Sequence, residues 1–215
     1  MGKIQCKDCK YLDLTRKHSI GYVCTNTNRA RIDYINCRYG HCKTMNHLKQ
    51  PTTPACKSGF ERRNIMNYHG ITHTSFNNGD GMRVVLWVSG CEHHCKGCQN
   101  SFTWDENGGK PFDQDARQEL FRALSRTWID GLTFSGGDPL HPANRDAITE
   151  LAKDFKAEFP KKTIWLYTGY TYEDVKDLEV MQYVDVVVDG KFVEELASEN
   201  NKYAGSTNQR IIRLT

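Results

Sequence analysis

Val84-Val85-Leu86-Trp87-Val88-Ser89-Gly90-Cys91-Glu92-His93-His94-Cys95-Lys96-Gly97-Cys98 runs an apolar stretch directly into three thiols within eight residues. Arg83 to Val88 is β-branched and almost wholly apolar, the pattern of a strand buried on both faces in a parallel sheet. Ser89-Gly90 ends it, so the thiols hang from the C-terminal end of a strand, where α/β folds bind their ligands. Thiolates are soft ligands that favour zinc, Cu(I) or iron–sulfur clusters. A cluster usually takes four cysteines, one per iron, whereas this loop carries three with no fourth close behind. Three thiolates leave one metal position open to a substrate. The competing reading is a zinc knuckle, although zinc sites usually close with two CxxC-like pairs.

Downstream, Asp113-Gln114-Asp115 puts acid in the first turn of a helix, where the dipole favours it. Ala116, Leu120 and Leu124 recur at helical spacing, and the helix is expected to end near Trp128. Gly131 to Phe134 is a short strand that leads into Ser135-Gly136-Gly137-Asp138-Pro139. Consecutive glycines after a strand let backbone approach a ligand, and carbonyls with a carboxylate suit an ammonium group. An ordinary turn is the plain alternative. Asn144 is placed to cap a second helix, with Ile148, Leu151, Ala152, Phe155 and Phe159 on its apolar stripe and Pro160 at its end. Thr163 to Tyr167 is a third strand, closing in Thr168-Gly169-Tyr170. Thr171-Tyr172-Glu173-Asp174 has the form of a capping box. Val184 to Val188 is a fourth strand and Ile211 to Leu214 a last one. Strands alternating with helices indicate a parallel sheet with right-handed crossovers. Roughly 150 residues are too few for a closed eightfold barrel, so the expected fold is α/β, an open partial (β/α) barrel.

The 215 residues are 38% hydrophobic and 26% charged, an ordinary soluble composition. No apolar stretch approaches a membrane span and no signal peptide is evident, which points to a cytoplasmic protein without a membrane partner. In a reducing cytosol the nine cysteines are metal ligands rather than disulfides. The net charge of +3 is unevenly spread. Residues 1–65 hold 13 Lys and Arg against 4 Asp and Glu, and the remainder holds 16 against 22. A basic front piece can attract nucleic acid or an acidic partner, or be a solvated surface; nucleic acid is not the expected partner.

That front piece carries six of the nine cysteines: Cys6, Cys9, Cys24, Cys37, Cys42 and Cys56. Cys6-Lys7-Asp8-Cys9 presents two thiolates to one metal, and two more ligands complete a tetrahedron. Cys24 and Cys56 are the preferred partners, then Cys37 and Cys42, with His18, His41 and His47 behind them. So thin a core needs a staple, and a structural zinc is the favoured one; a second iron–sulfur cluster and unligated or paired cysteines are the alternatives. Pro51-Thr52-Thr53-Pro54 is a break and Lys57 to Ile65 reads as linker. The expected division is 1–65, a small cysteine-rich metal-binding module, and 66–215, the main domain.

The Cys-x3-Cys-x2-Cys spacing after a strand resembles the cluster loop of radical S-adenosylmethionine (SAM) enzymes. Gly97-Cys98-Gln99-Asn100-Ser101-Phe102-Thr103-Trp104 is similar to the Gly-Cys-x-Asn-x-x-Thr-Trp stretch of glycyl-radical-enzyme activases, and Met66-Asn67-Tyr68-His69 looks like the opening of one. Ile164-Trp165-Leu166-Tyr167-Thr168-Gly169-Tyr170, Val187-Val188-Asp189-Gly190-Lys191-Phe192 and Gly205-Ser206-x-Asn208-Gln209 narrow the resemblance to the anaerobic ribonucleoside-triphosphate reductase-activating proteins. It covers 66–215.

The resemblance implies that Cys91, Cys95 and Cys98 bind a 4Fe–4S cluster. Gly97, Cys98 and Gln99 would line the adenine side of SAM, and Ser135, Gly136, Gly137 and Asp138 its methionyl side, with Thr168 in the same site. It implies one-electron cleavage of SAM to methionine and a 5′-deoxyadenosyl radical, which takes a hydrogen atom from a glycine of the reductase. The implied partners are the large subunit of the anaerobic ribonucleoside-triphosphate reductase and an electron donor such as flavodoxin. No general acid or base is required, so His93 and His94 are expected at the loop surface rather than as catalysts, with tuning of the cluster potential through a hydrogen bond as the alternative. Gln99 stands where an aromatic residue is usual, Asp80 where proline is usual, and Ala204 where arginine is usual. Two alternatives remain: an activase of another glycyl-radical enzyme, and a non-enzymatic zinc-binding nucleic-acid module. The second leaves Gly136-Gly137-Asp138-Pro139 without a purpose.

Overall fold

The computed structural model describes residues 66–214 and two short strands before them, β1 (Tyr22–Cys24) and β2 (Phe60–Arg62). The chain divides into two units, residues 1–63 with 113–115, and residues 64–112 with 116–215. In the first, β1 and β2 pair antiparallel, with Tyr22 opposite Arg62 and Cys24 opposite Phe60. The stretch read as linker therefore contains a paired strand. Cys6, Cys9 and Cys56 lie outside the described residues, and of Cys24 only the backbone is described.

The second unit is built on β3 (Asn67–Ser75), β4 (Arg83–Val88), β5 (Lys110–Pro111), β6 (Gly131–Gly136), β7 (Thr163–Tyr167), β8 (Val186–Asp189) and β9 (Arg210–Arg213). They form one seven-stranded sheet in the order β5-β3-β4-β6-β7-β8-β9. β4, β6, β7 and β8 are parallel; β3 pairs antiparallel with β4 and β9 with β8, and β5 pairs antiparallel with β3 at the sheet edge. Alternation sorts the central side chains. Val84, Leu86, Leu132, Phe134, Ile164 and Leu166 pack with helices α1 (Gln114–Leu124) and α2 (Arg145–Glu158) in the main core. Trp165, Val186 and Val188 face the other way and pack with Tyr167, Tyr203 and Ala204.

Several boundaries differ from the expected ones for visible reasons. α1 stops at Leu124 because the Ser125 hydroxyl takes the Arg122 carbonyl at 2.9 Å, competing with the helix ladder and leaving Trp128 outside it. β8 starts at Val186, after Asp185, whose carboxylate accepts from Ile164 N at 2.6 Å, in place of a backbone carbonyl, and from Lys156 Nζ at 2.7 Å. Thr171 is extended, as an N-cap residue should be, but its hydroxyl bonds the Asp174 side chain at 2.6 Å instead of capping α3 (Tyr172–Val175). β3 is polar along most of its length and carries no apolar alternation, so nothing in its pattern announced a strand.

The loop after β3 crosses the face opposite the helices. Asn78 O accepts from Thr133 Oγ1 at 2.8 Å, Gly79 lies against the Trp165 ring, and Asp80 pairs with Arg213 at 2.6 Å. Beneath it Arg83 is fully buried, donating to Thr133 Oγ1 at 3.1 Å, Thr163 Oγ1 at 2.6 Å and Thr163 O at 2.8 Å. Burial pushes its guanidinium down to about 10, still charged at neutral pH. This covers the N-terminal ends of the parallel strands and leaves the C-terminal ends to the cysteine loop. Among the described residues no helix is long and apolar enough to cross a membrane.

Candidate cluster site at the strand ends

Val88 ends β4, and buried Ser89 fixes the exit: its N–H donates to Asn67 O at 2.9 Å and its hydroxyl to Gly108 O at 2.8 Å. The cysteine loop closes on its own root, with Gly90 N donating to Thr103 O at 2.8 Å and Cys91 N to Trp104 O at 3.0 Å. The Thr-Trp end of the motif therefore serves as the loop's backbone clasp. Within the loop, Cys98 N donates to Cys95 O at 3.2 Å and Gly97 takes φ 71°, a conformation glycine adopts without strain.

Cys91, Cys95 and Cys98 are all free and half-buried. Burial pushes the Cys91 thiol up to about 11, while backbone N–H groups of His93 and His94 pull the other way. Iron binding would take the sulfur as thiolate and release that proton. Among the described residues no three His, Cys, Asp or Glu side chains converge as ligands of a single ion do. A 4Fe–4S cluster takes one thiolate at each iron corner, so three thiols spread over one short loop fit its donor set. Gly97 and Gln99 are exposed beside Cys98.

The glycine loop follows β6 and is bonded to the root of the cysteine loop. Gly137 N donates to Val88 O at 2.8 Å and Asp138 N to Gly90 O at 2.7 Å. A side chain on Gly137 would overlap the Gly90 carbonyl. The close approach that glycine permits here is thus to the neighbouring loop. Ser135 and Gly136 end β6 beside Trp87 and Val88 of β4.

Asp138 is almost completely buried, at 1% exposure, and its carboxylate is a hub. Oδ1 accepts from Leu140 N at 2.8 Å, Oδ2 from Gly169 N at 2.9 Å, and both from Thr168 Oγ1 at 3.0 Å. His93 Nε2 completes it, 2.7 Å from Oδ2. The Asn144 side chain makes no cap bond to α2: its Nδ2 donates to Ser89 O at 2.7 Å and Asp138 O at 3.0 Å, tying both loops to the start of the helix.

The two histidines separate. His94 is exposed and stands edge-on to Trp104, whereas the His93 side chain is only 6% exposed, against the expected surface position. Its ring meets Tyr170 edge-on at 4.6 Å, and the Tyr170 hydroxyl donates to Glu92. Burial together with that bond raises the Tyr170 pKa above the ordinary phenol value. Sequence reasoning missed the burial and partner of His93, the loop-tying bonds of Asn144 and the role of Tyr170. A histidine between two cysteines of the loop was one signal, but its partner lies 45 residues away and only folding brings it near.

The family described as 4Fe-4S single cluster domain matches residues 77–212. A protein of Enterobacteria phage T4 named anaerobic ribonucleoside-triphosphate reductase-activating protein is 49% identical over 146 residues, covering 68% of this chain and 93% of its own length. Proteins of the same name from Vibrio cholerae and Escherichia coli are 44% and 40% identical, over 70% and 69% of this chain and 99% of their own lengths.

Proposed function

The chain belongs to the family of the anaerobic ribonucleoside-triphosphate reductase-activating proteins, and on that premise we propose that it is a radical SAM oxidoreductase that generates a glycyl radical on that reductase. The observation that carries the proposal is three free thiols on one loop at the C-terminal end of β4, hydrogen-bonded at its root to the glycine loop after β6. Cys91, Cys95 and Cys98 hold a 4Fe–4S cluster in this reading. When bound and reduced, that cluster supplies the electron that splits SAM, so that a hydrogen atom can be taken from a glycine of the reductase. The chain's own part is ligation, orientation and exclusion of water. Gly97, Cys98 and Gln99 take the adenine end of SAM, and Ser135, Gly136 and Gly137 offer backbone to its methionyl end, with Asp138 and Thr168 beneath. The parallel core with antiparallel flanks, lined by helices on one face, supports an open partial barrel. The partner is the reductase large subunit, the donor a small electron carrier such as flavodoxin, and the setting the cytoplasm. Residues 1–65 form a module stapled by zinc through Cys6, Cys9, Cys24 and Cys56.

Anaerobic reconstitution with iron and sulfide tests the proposal. The protein should turn brown, its reduced EPR signal should change when SAM is added, and a glycyl radical should form on the reductase. Cys91→Ala, Cys95→Ala and Cys98→Ala should each abolish SAM cleavage, since each removes one of three thiolates. Deoxyadenosine production surviving in any of them would refute the ligand assignment.

A further inference from the structure

We propose that His93 is a positioning residue: through the Asp138 carboxylate it holds the cluster loop in register with the glycine loop, and so sets the open cluster position relative to the methionyl end of SAM. The inference rests on the proposed SAM reading and deepens it, because it moves the Asp138 and Thr168 side chains from contact with SAM to support of the loops that contact it.

The argument begins with acceptor capacity. A carboxylate offers about four lone-pair sites. Those of Asp138 are met by Leu140 N, Gly169 N, Thr168 Oγ1 and His93 Nε2, at 2.7–3.0 Å. The paired His93 and Asp138 side chains are 6% and 2% exposed. A carboxylate so enclosed has little capacity left for a ligand ammonium, whatever its charge. What it can do is join three segments: its own loop after β6, the Thr168-Gly169 turn after β7, and, through His93, the cysteine loop after β4. Facing a carboxylate, His93 Nε2 carries the proton and donates.

The His93 ring has been given a slot. A side chain on Gly169 would overlap the ring's Cδ2, and Tyr170 closes one side at 4.6 Å. Tyr170 also bonds Glu92, the residue before His93, so the cysteine loop meets the β7 turn at two successive side chains. Backbone bonds from Gly137 and Asp138 hold the roots of the two loops. The bonds of His93 and Glu92 hold the cysteine loop farther out, between its first and second thiols. A hub of satisfied buried hydrogen bonds fixes one arrangement of the loops it joins, and a ligand spanning them then binds without ordering them first.

The test uses the full-length protein, reconstituted anaerobically, as wild type, His93→Ala, His93→Gln, Asp138→Asn and the His93→Ala/Asp138→Asn double variant. Iron content is measured first, then the EPR signal of the reduced cluster is titrated with SAM. Iron should stay at the wild-type level in His93→Ala while the half-saturating SAM concentration rises about tenfold. His93→Gln, whose amide can still donate, should recover most of the loss. The double variant should be no weaker than Asp138→Asn alone, because the two side chains act through one bond. A wild-type SAM titration in His93→Ala, loss of its iron, or single-variant factors that multiply in the double variant would each overturn the positioning role alone. A wild-type protein that holds its cluster but does not respond to SAM overturns the SAM reading and the positioning role together.

Discussion

Gly137 lacks a side chain because the Gly90 backbone occupies the place where one would be. Read from sequence, Gly137→Val should fill ligand space and leave the cluster loop alone. The packed structure predicts a different failure: the branched side chain pushes on the root of the cysteine loop. Overpacking of this kind costs about 1–3 kcal/mol. Gly137→Val should therefore lower the melting temperature and reduce iron uptake as well as weaken SAM binding, as melts and iron analysis will show. Asp80, in a place where proline is usual, also finds its reason at this scale. It accepts from Arg213 at 2.6 Å, a bond that proline could not make.

Elements are held at their corners by buried or half-buried charge. Lys156 near the end of α2 donates to both Asp185 oxygens, at 2.9 and 2.7 Å, and Asp185 also accepts from Ile164 N in β7. One carboxylate thus joins α2, β7 and the entry to β8. Asp185→Ala should destabilise the protein by about 2–4 kcal/mol, since it leaves the half-buried Lys156 ammonium with only the Lys162 carbonyl and the Ile164 N–H without its acceptor; chemical denaturation measures this. The edge strand β9 depends on more exposed pairs. Its Arg213 holds the Asp80 carboxyl below its ordinary pKa, and its Arg210 does the same to Glu173, each chiefly through a side-chain hydrogen bond. A carboxylate with a lowered folded pKa adds stability above its unfolded pKa and loses it as pH falls through the folded one. The melting temperature should therefore drop on acidification below the ordinary carboxylate range. Arg213→Ala should show a smaller drop, and salt should shrink the difference because both partners are exposed.

Across the whole molecule, charge and cysteines are divided much as the chain contacts are. Residues 1–65 carry 13 Lys and Arg against 4 acids and six of the nine cysteines, while the cysteine loop, the glycine loop and the seven-stranded sheet lie in the remainder. A fragment of residues 66–215 should therefore fold, bind one cluster and cleave SAM at a near-normal rate with a chemical reductant. The full chain should hold an additional metal ion, lost in the Cys6→Ser/Cys9→Ser double variant. If the basic piece assists docking, glycyl-radical yield should fall with salt in the full chain more than in the fragment. A fragment unable to cleave SAM would place the front cysteines in the active site or its electron path.

The sequence by itself determined the central strands and the cysteine loop. Their signals are local: a continuous apolar run, glycines at strand ends and thiols at short spacing are each read within about ten residues. It also indicated which segments are helical, through stripes such as Ala116-Leu120-Leu124. Only the tertiary structure decided that β3 and β9 flank the parallel core antiparallel, because a mostly polar or exposed strand takes its partner from backbone bonding rather than from an apolar pattern. Likewise it alone decided that Asn144 ties loops instead of capping, that Gly137 makes room for Gly90, and that His93 meets Asp138. Each of these is a contact between residues far apart in the chain, where packing and the need to satisfy buried polar groups override what either residue does locally.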